Sequence, residues 1–409
     1  MKVLYFHQHF TTPAGSGGTR SYEMASALVA RGHEVTIVCG SRTNANTGVS
    51  GPYRNGVREG DVDGITVVEL HLPYSNYLGF IKRTYIFIIF ALRSILIAMK
   101  RKYDLVFASS TPLTAGIPGI VASIFRRKPF VFEVRDLWPE LPREMGVIKN
   151  SLVLTVMGLL EYASYHSAIA CIGLAPGIVK GICRCNISEE NVALIPNGCD
   201  TDLFKPVANC KRTLNGITDK DFVAVFTGAH GRANGLDAVI NTAKVLLKRG
   251  VTNIKILFIG DGKEKPGLIK RSSEEGLSTI CIFLPYMPKS ELSLTMNMVD
   301  AGLQVLANVP VFYNGTSPNK FFDYLSAGLP VINNYPGWLA SIIDKYECGI
   351  AVPPDNPEAF ADALVFLSSN TEVKEKMGQN ARQLALTEFS RKRLGEQFVS
   401  FLEKYGPGR

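Results

Sequence analysis

The sequence has few features of a secreted, disulfide-bonded or metal-binding protein. Among its 409 residues are eight cysteines, of which only Cys183 and Cys185 are close, and C-x-C is not the C-x-x-C spacing of zinc or redox sites. The first residues, MKVLYFHQHF, lack the long apolar region of a signal peptide. We therefore expect buried or free thiols and a cytoplasmic location.

Features of nucleic-acid binding and of metal binding are also scarce. There is no arginine-rich tail and no alternation of basic with aromatic residues, so nucleic acid is not an expected partner. DVD at 61–63 is assigned to a surface turn, and HQH at 7–9 lacks a third ligand, so we expect no metal and no cofactor. The net charge of +8 instead suits a nucleotide or a phospholipid surface.

No apolar run reaches the roughly 20 residues that a membrane-spanning helix needs. The longest lies in 77–102, where about 15 residues from Tyr85 to Met99 are interrupted by Arg93. Basic residues and no acid flank it, namely Lys82, Arg83, Lys100, Arg101 and Lys102. Two interpretations stay open: a helix lying on an anionic membrane, and a buried core helix with basic ends.

Short β-branched runs alternate with helical periodicity along the whole chain. Val3–Phe6 and Glu34–Cys39 are among the predicted strands of the first half, and Phe222–Thr227 and Ile254–Ile259 open the second. Between the halves lies the turn-rich segment 195–206. The pattern predicts two doubly wound α/β domains with ligand edges at the carboxyl ends of their strands, and a shared ligand in a cleft between them.

The motif GSGGTR, residues 15–20, lies between a predicted strand and a predicted helix. Gly17 and Gly18 allow backbone amides to approach a phosphate or a sugar, although an ordinary turn is the alternative because the spacing matches no standard phosphate loop. Arg20, in the first helical turn, is either a solvated residue or an anion ligand. We expect it to contact the acceptor.

A second candidate site is EVRDLWPE, residues 133–140, at the end of a predicted strand. Arg135 and Asp136 lie where catalytic groups of α/β folds occur, and Trp138 followed by proline suits the face of an acceptor sugar. An internal ion pair is the alternative. In TGAHGRANGLD, residues 227–237, Arg232 offers a cation for a diphosphate, whereas His230 is assigned to packing or hydrogen bonding rather than to a general base.

The segment SPNKFFDYLSAGLPVINN, residues 317–334, places polar residues at the start of an apolar helix. Amides of 317–320 and the ammonium of Lys320 are predicted to bind a diphosphate, with Ser317 and Asn319 in the same donor-binding group. Asp323, one turn later, is predicted to accept hydrogen bonds from ribose hydroxyls. The alternative is a solvated Lys320–Asp323 pair.

Several of these motifs, in this order, resemble the retaining GT-B glycosyltransferases of family four over essentially the whole chain; they are GSGGTR, IPNGCDTDLF, FIGDGKEK and SPNKFFDYLSAGLPVI. EVRDLWPE and GAHGRANGLD look like the bacterial subgroup that includes N-acetyl-L-fucosamine transferases of O-antigen and capsule assembly. The resemblance implies two Rossmann-like domains facing across a cleft: an acceptor-binding domain, 1–190, which the helix 390–409 rejoins, and a nucleotide-sugar-binding domain, 191–389.

The resemblance also implies roles for individual residues. Asp323 takes the place of the family's ribose-binding Glu, and Gly17 and Gly18 take that of its glycine loop near the donor phosphates. Some positions depart from the family: Gly315 replaces a Glu, and Ala229 and Asn234 replace an Arg and a Lys. The usual His-Asp pair is Arg135–Asp136 here.

The expected reaction is metal-independent, front-face transfer of a sugar from a nucleotide donor, with UDP expected as the nucleotide. No paired carboxylates suggest a glycosyl-enzyme intermediate. Arg232 and Lys320 hold the leaving diphosphate, and the departing phosphate or Asp136 takes the acceptor proton. The acceptor is expected to be a saccharide on a polyprenyl diphosphate, reached from the inner face of the plasma membrane. The alternatives are a GT-B epimerase and a non-catalytic nucleotide-sugar binding protein.

Overall fold

The computed structural model describes residues 1–15, 17–42, 45–75, 78–207, 210, 212–214 and 216–406. Contacts divide the chain into two compact units. The amino-terminal unit contains 1–197, 315–317 and 391–409, and the carboxyl-terminal unit contains 198–314 and 318–390. Each unit is built on one mainly parallel sheet with helices, as the predicted doubly wound α/β class requires.

The described strands, in chain order, are β1 (Lys2–Phe6), β2 (Glu34–Arg42), β3 (Val57–Val62), β4 (Ile65–Tyr74), β5 (Leu105–Ser109), β6 (Phe130–Val134), β7 (Ala170–Gly173), β8 (Val192–Leu194), β9 (Phe222–Thr227), β10 (Ile254–Ile259), β11 (Cys281–Leu284), β12 (Ala301–Gln304), β13 (Val331–Asn333) and β14 (Gly349–Ala351).

The described α-helices are α1 (Arg20–Ala30), α2 (Phe80–Lys100), α3 (Ile117–Arg126), α4 (Glu140–Glu144), α5 (Ser151–Ser167), α6 (Pro176–Arg184), α7 (Asp237–Lys248), α8 (Lys265–Glu274), α9 (Lys289–Met296), α10 (Val311–Gly315), α11 (Asn319–Ser326), α12 (Trp338–Tyr346), α13 (Pro357–Ser369), α14 (Thr371–Thr387) and α15 (Arg391–Glu403).

The amino-terminal sheet has the strand order β3-β4-β2-β1-β5-β6-β7-β8. Its pairs are parallel except β3 with β4, which form an antiparallel hairpin. Asp61 therefore belongs to a strand, and the turn predicted over 61–63 is confined to Asp63 and Gly64. The order of the strands reverses between β1 and β5, which is where ligands of such sheets bind.

The carboxyl-terminal helix is part of the amino-terminal unit, as the predicted fold requires. α15 packs against α1, and Gly395 permits this approach, since a Cβ there would lie 2.9 Å from that of Ala27. Phe398 meets Phe107 of β5 edge-on, with 5.0 Å between the ring centroids. Burial of these aromatic rings against the sheet holds the last helix in place.

The carboxyl-terminal sheet is entirely parallel, in the order β11-β10-β9-β12-β13-β14. Its strand order reverses between β9 and β12. The loops after these strands, together with the start of α11, therefore form the natural ligand edge of this unit. Every residue of β9 is buried, as expected for a central strand covered on both faces.

Candidate functional site

Lys320 lies in the first turn of α11, and its ammonium group lies between an amide side chain and an aromatic ring. Its Nζ donates a 2.6 Å hydrogen bond to Oδ1 of Asn234 and lies 4.1 Å from the ring centroid of Phe226. Burial lowers the pKa of Lys320 to about 7. A partly desolvated cation at the carboxyl edge of a parallel sheet would bind a phosphate more strongly than a surface lysine would.

Gly228, directly after β9, makes room for this lysine. Its φ of 127° lies in the region that only glycine adopts easily, and a Cβ there would lie 3.4 Å from Cε of Lys320. A Cβ on Gly260, after β10, would lie 1.9 Å from the carbonyl oxygen of Gly228. The two strand-end loops thus pack backbone against backbone, which requires Gly260, whereas Gly228 is required by its positive φ.

Asp323 lies one turn after Lys320 on α11, but its partner is a different lysine. Nζ of Lys289, the first residue of α9, lies 3.4 Å from Oδ1 of Asp323, and both side chains are largely buried. The alternative of a solvated Lys320–Asp323 pair is therefore wrong. Sequence reasoning missed Lys289, because nothing in its spacing, 34 residues before Asp323, indicates the contact.

Arg232 and Asn319 present polar groups at the same edge of the carboxyl-terminal unit. Arg232 is exposed in a single 3₁₀ turn after the Gly228 loop, and Asn319 is the first residue of α11. Within the described ranges, no residue hydrogen-bonds to either side chain. The structure thus brings Lys320, Asp323 and Asn319 together on one helix, whereas Arg232 lies on a separate loop.

His230, which was assigned to packing, is completely buried. Its ring lies among Phe226, Phe258 and Phe283, with centroids 5.9 to 6.4 Å away. Neither ring nitrogen finds a hydrogen-bond partner in the described part of the chain, and burial lowers the pKa to about 4. A neutral ring in an aromatic cluster fits packing better than general-base catalysis.

In the amino-terminal unit, Arg20 has an internal role instead of the predicted contact with an acceptor. Its Nε donates to Oε2 of Glu133 at 2.9 Å, and its two terminal nitrogens donate to the carbonyl oxygens of Pro196 and Ile195. The side chain is 3% exposed. All of its donor nitrogens are used within the protein, so the prediction of an acceptor ligand does not fit this geometry.

Arg135 and Asp136 follow β6 at the carboxyl edge of the amino-terminal sheet. Nε of Arg135 lies 3.4 Å from Oε1 of Glu133, the carboxylate that also pairs with Arg20, and this is the internal ion pair considered as the alternative. Nη1 of Arg135 lies 3.4 Å from Nε2 of His7. Asp136 accepts a 3.1 Å hydrogen bond from Thr111. Burial raises the pKa of Asp136, the direction that favours a general base.

Positive charge dominates this edge of the sheet. Burial and the neighbouring Arg135 and Arg42 lower the pKa of His7, and the same causes lower that of His9 to about 3. Arg42, the last residue of β2, comes close to the glycine loop, since a Cβ on Gly17 would lie 3.5 Å from its Nη1. Arg42 and His7 were missed because β2 was predicted to end at Cys39 and HQH was considered only for metal.

Ser317, Trp138, Gly17 and Gly18 are the remaining predicted residues. Ser317 belongs to the amino-terminal unit, where its Oγ accepts a 2.9 Å hydrogen bond from the amide of Asn197. Trp138 is partly buried, and its Nε1 has no hydrogen-bond partner among the described residues. Gly17 adopts φ 122°, as a tight turn requires, and Gly18 follows it before α1.

Two family descriptions match the chain in succession. Residues 15–198 match "Glycosyl transferase 4-like domain", and residues 211–384 match "Glycosyl transferases group 1". The two matches divide the chain nearly as its contacts do, at Asn197. The second match contains α11 and the loops around Lys320.

Two known glycosyltransferases are similar to this chain at low sequence identity. The chain is 23% identical over 326 residues to the capsular polysaccharide biosynthesis glycosyltransferase CapM of Staphylococcus aureus, covering 77% of this chain and 80% of CapM. It is 23% identical to an uncharacterized glycosyltransferase of Methanocaldococcus jannaschii, covering 59% of this chain and 61% of that relative.

A solved structure supports the fold over nearly the full length. HepE of Anabaena, in complex with UDP-glucose, aligns with a TM-score of 0.72 at 15% identity, covering 99% of this chain and 100% of HepE. At this identity the likeness concerns the fold, which is two Rossmann-like α/β domains of the GT-B type.

Proposed function

We propose that this chain, which belongs to the group 1 glycosyltransferases and has the GT-B fold, is a sugar transferase. It transfers a sugar, with retention of configuration, from a nucleotide diphosphate to a lipid-linked saccharide. The observation that carries the proposal is the environment of Lys320. Among the described residues, the contacts of this partly desolvated ammonium are a neutral amide and an aromatic ring, and none of them is a counter-ion. A diphosphate would supply one.

The proposed reaction places the leaving diphosphate at the start of α11. As the bond from the sugar to the phosphate breaks, negative charge grows on the phosphate oxygens, and Lys320 and the first amides of α11 stabilise it. Arg232 adds a second cation from its loop. The departing phosphate accepts the proton of the incoming hydroxyl on the same face of the sugar, so no metal and no covalent intermediate are needed.

Asp323 and Lys289 are proposed to fix the ribose. Lys289 contacts Oδ1 of Asp323, so the second carboxylate oxygen is proposed to accept hydrogen bonds from the hydroxyl groups of the ribose. Asp136, in the amino-terminal unit, is the alternative acceptor of that proton, since burial raises its pKa toward neutral pH.

The substrate classes follow from the relatives as proposals. HepE was solved with UDP-glucose and CapM is named for capsular polysaccharide biosynthesis, so we propose a UDP-sugar donor and a polyprenyl-diphosphate acceptor in surface polysaccharide synthesis. An N-acetylated 6-deoxyhexose such as N-acetyl-L-fucosamine is the proposed sugar. The basic, apolar segment 77–102 is proposed to contact the inner face of the plasma membrane, where such acceptors lie.

Turnover of the Lys320→Ala variant tests this proposal. UDP release from a UDP-sugar, in the presence of a lipid-linked acceptor, should fall about 10²-fold in kcat, as for the loss of one donor to a developing oxyanion. Lys270→Ala, which removes an exposed lysine of α8, is the matched control and should retain wild-type kcat. An unchanged kcat in Lys320→Ala would remove Lys320 from the mechanism.

The same assay separates the two alternative functions. An epimerase would convert the nucleotide sugar without any acceptor and release a free sugar. A binding protein would bind UDP in a calorimeter and consume no donor with any acceptor. Sugar transfer that depends on the acceptor excludes both.

A further inference from the structure

Two of the chain's most apolar helices bury few of their residues. α2 has 21 residues and α5 has 17, yet only four are buried in α2 and two in α5. Helices this apolar are normally core helices, because exposed apolar area costs free energy. No helix of the described chain is long and apolar enough to cross a membrane.

The exposed apolar residues of α2 form a stripe at helical spacing. They follow one another at intervals of three or four residues, which places them on one face: Ile81, Tyr85, Ile88, Leu92, Leu96 and Met99. The opposite face, with Phe90, Ala91, Ser94 and Ala98, is buried against the protein. The exposed face of α2 is therefore apolar, and it suits contact with an apolar partner outside the unit better than contact with water.

α5 has a second stripe of the same kind, and α3 lies between the two helices. Leu152, Val156, Leu159 and Tyr162 of α5 are each more than half exposed, as are Ile124 and Phe125 at the end of α3. α3 packs against both α2 and α5. We call these three exposed stripes together the helical face.

The charge of the segment that carries α2 and α3 is almost entirely positive, whereas α5 contains Glu161 and no lysine or arginine. From Ser75 to Phe132 the sequence contains nine lysines and arginines and a single acid, Asp104. Eight of these basic residues lie where α2 begins and where α2 and α3 end, and the ninth, Arg93, lies within α2 and donates to the carbonyl oxygen of Asn55. Some are engaged internally: Arg101 pairs with Glu59, and Arg126 donates to the carbonyl oxygens of Ala98, Met99 and Arg101. No hydrogen bond or ion pair with a described residue engages the ammonium groups of Lys82, Lys100 and Lys102.

We propose that the helical face of α2, α3 and α5 docks flat on an anionic phospholipid bilayer. Apolar side chains enter the boundary between headgroups and acyl chains, the lysines at the helix ends meet lipid phosphates, and Tyr85 and Tyr162 lie at the headgroup level. This inference extends the membrane contact proposed for 77–102 to two further helices. The docking itself does not depend on the proposed function; its biological purpose does.

The positive charge of α2 and α3 favours a bilayer over a second copy of the chain as the partner of the helical face. A symmetric dimer through this face would bring the same basic segments of both copies together, and like charges repel. An anionic bilayer instead neutralises them, with a gain of about 1 kcal/mol for each lysine near the surface, or about fivefold in partition.

Flotation with lipid vesicles tests the inference without any sugar donor. The full chain should bind vesicles of phosphatidylglycerol and phosphatidylcholine, and bind pure phosphatidylcholine weakly. Leu159→Glu on α5 and Leu92→Glu on α2 should each lower the partition coefficient about tenfold or more, because each replaces an inserted apolar side chain by a charge.

Leu294→Glu on α9 is the matched control. Leu294 is 61% exposed and Leu159 is 65% exposed, but α9 belongs to the carboxyl-terminal unit. This variant should bind vesicles as the wild type does. A thermal melt of each variant identifies any that fails to fold, and Lys82→Gln with Lys100→Gln then replaces it, with an expected loss of about fivefold for each lysine.

Two results would overturn the inference. One is vesicle binding by Leu159→Glu equal to that of the wild type, which would limit the contact to α2. The other is a wild-type dimer, seen by light scattering, that Leu159→Glu separates while neither protein binds vesicles. Both leave the transferase proposal standing, because the vesicle assay measures no turnover.

Discussion

The surroundings of Lys320 disfavour its protonated, positively charged form. Burial lowers its pKa to about 7, and its polar contact is the neutral Asn234. A diphosphate beside the ammonium would raise that pKa again, because an opposite charge favours the protonated form. Binding of the nucleotide must therefore take up a proton above pH 7.

This linkage predicts that affinity for UDP falls as the pH rises. Below pH 7 Lys320 is already protonated in the free protein, so the affinity is greatest there; between pH 7 and the pKa of the complex it should weaken by up to about tenfold per pH unit. Calorimetry at pH 6.5, 7.5 and 8.5 would measure this, with proton uptake visible in buffers of different ionisation enthalpy.

Lys320→Arg is the control for that measurement. A guanidinium stays protonated across the range, so the variant should show only the titration that belongs to UDP itself. Equal pH dependence in both proteins would show that Lys320 does not exchange its proton on binding.

Arg20 and Glu133 illustrate a buried ion pair that is structural. Burial alone would raise the pKa of Glu133, but Arg20 and Arg135 more than offset this and lower it. Among the described residues, Arg20→Ala would leave this buried carboxylate with the more distant Arg135 and a hydrogen bond from Ser109.

We therefore expect Arg20→Ala to lower the free energy of unfolding by about 3–5 kcal/mol, measured by urea denaturation. Lys2→Ala, which breaks the exposed pair with Glu34, should leave the denaturation midpoint nearly unchanged. A stable Arg20→Ala variant with a raised KM for the acceptor would restore the predicted ligand role.

Single residues show where sequence reasoning was sufficient and where it failed. The helix around Lys320 and Asp323 was predicted, because polar residues at the start of an apolar helix are visible locally. Lys289 and Glu133, the partners of Asp323 and Arg20, were not predicted. Those contacts depend on how distant elements pack, which no local pattern encodes.

Glycine positions decide how closely elements of the carboxyl-terminal unit pack. A Cβ on Gly302 of β12 would lie 2.3 Å from the ring of Tyr324 on α11. The hydroxyl of that tyrosine accepts a 3.0 Å hydrogen bond from the amide of Thr227, at the end of β9. Gly302 thus fixes the position of α11 relative to the ligand edge.

Gly302→Ala should lower the free energy of unfolding by about 1–3 kcal/mol through overpacking. It should also weaken UDP binding, because a displaced α11 moves Lys320. In Gly267→Ala on α8 the new methyl group meets no atom within 4 Å, and this control should be stabilised by about 0.5–1 kcal/mol. A Gly302→Ala variant as stable as the wild type would contradict the tight packing.

Element boundaries were predictable where periodicity was strong. The helix predicted to follow GSGGTR is α1, Arg20–Ala30, and the strands Phe222–Thr227 and Ile254–Ile259 have the predicted bounds. The hairpin of β3 and β4 was missed, because the mixed sequence of β3 has no apolar alternation. Which face of α2 is exposed also depends on its neighbours, and the composition of 77–102 could not show it.

The molecule as a whole follows the predicted class of two doubly wound units, because both sheets are built from short apolar strands that alternate with helices. The GT-B glycosyltransferase fold was recognisable from four ordered motifs. The sugar, the linkage and the acceptor stay proposals, since they depend on a few side chains whose chemistry no motif encodes.

The most direct test of the account is a crystal structure of the protein with a bound UDP-sugar. We expect an oxygen of the diphosphate within about 3 Å of Nζ of Lys320, in place of Asn234, and ribose hydroxyls on Asp323. A nucleotide bound elsewhere, with Lys320 still bonded to Asn234 and Asp323 contacting only Lys289, would contradict it.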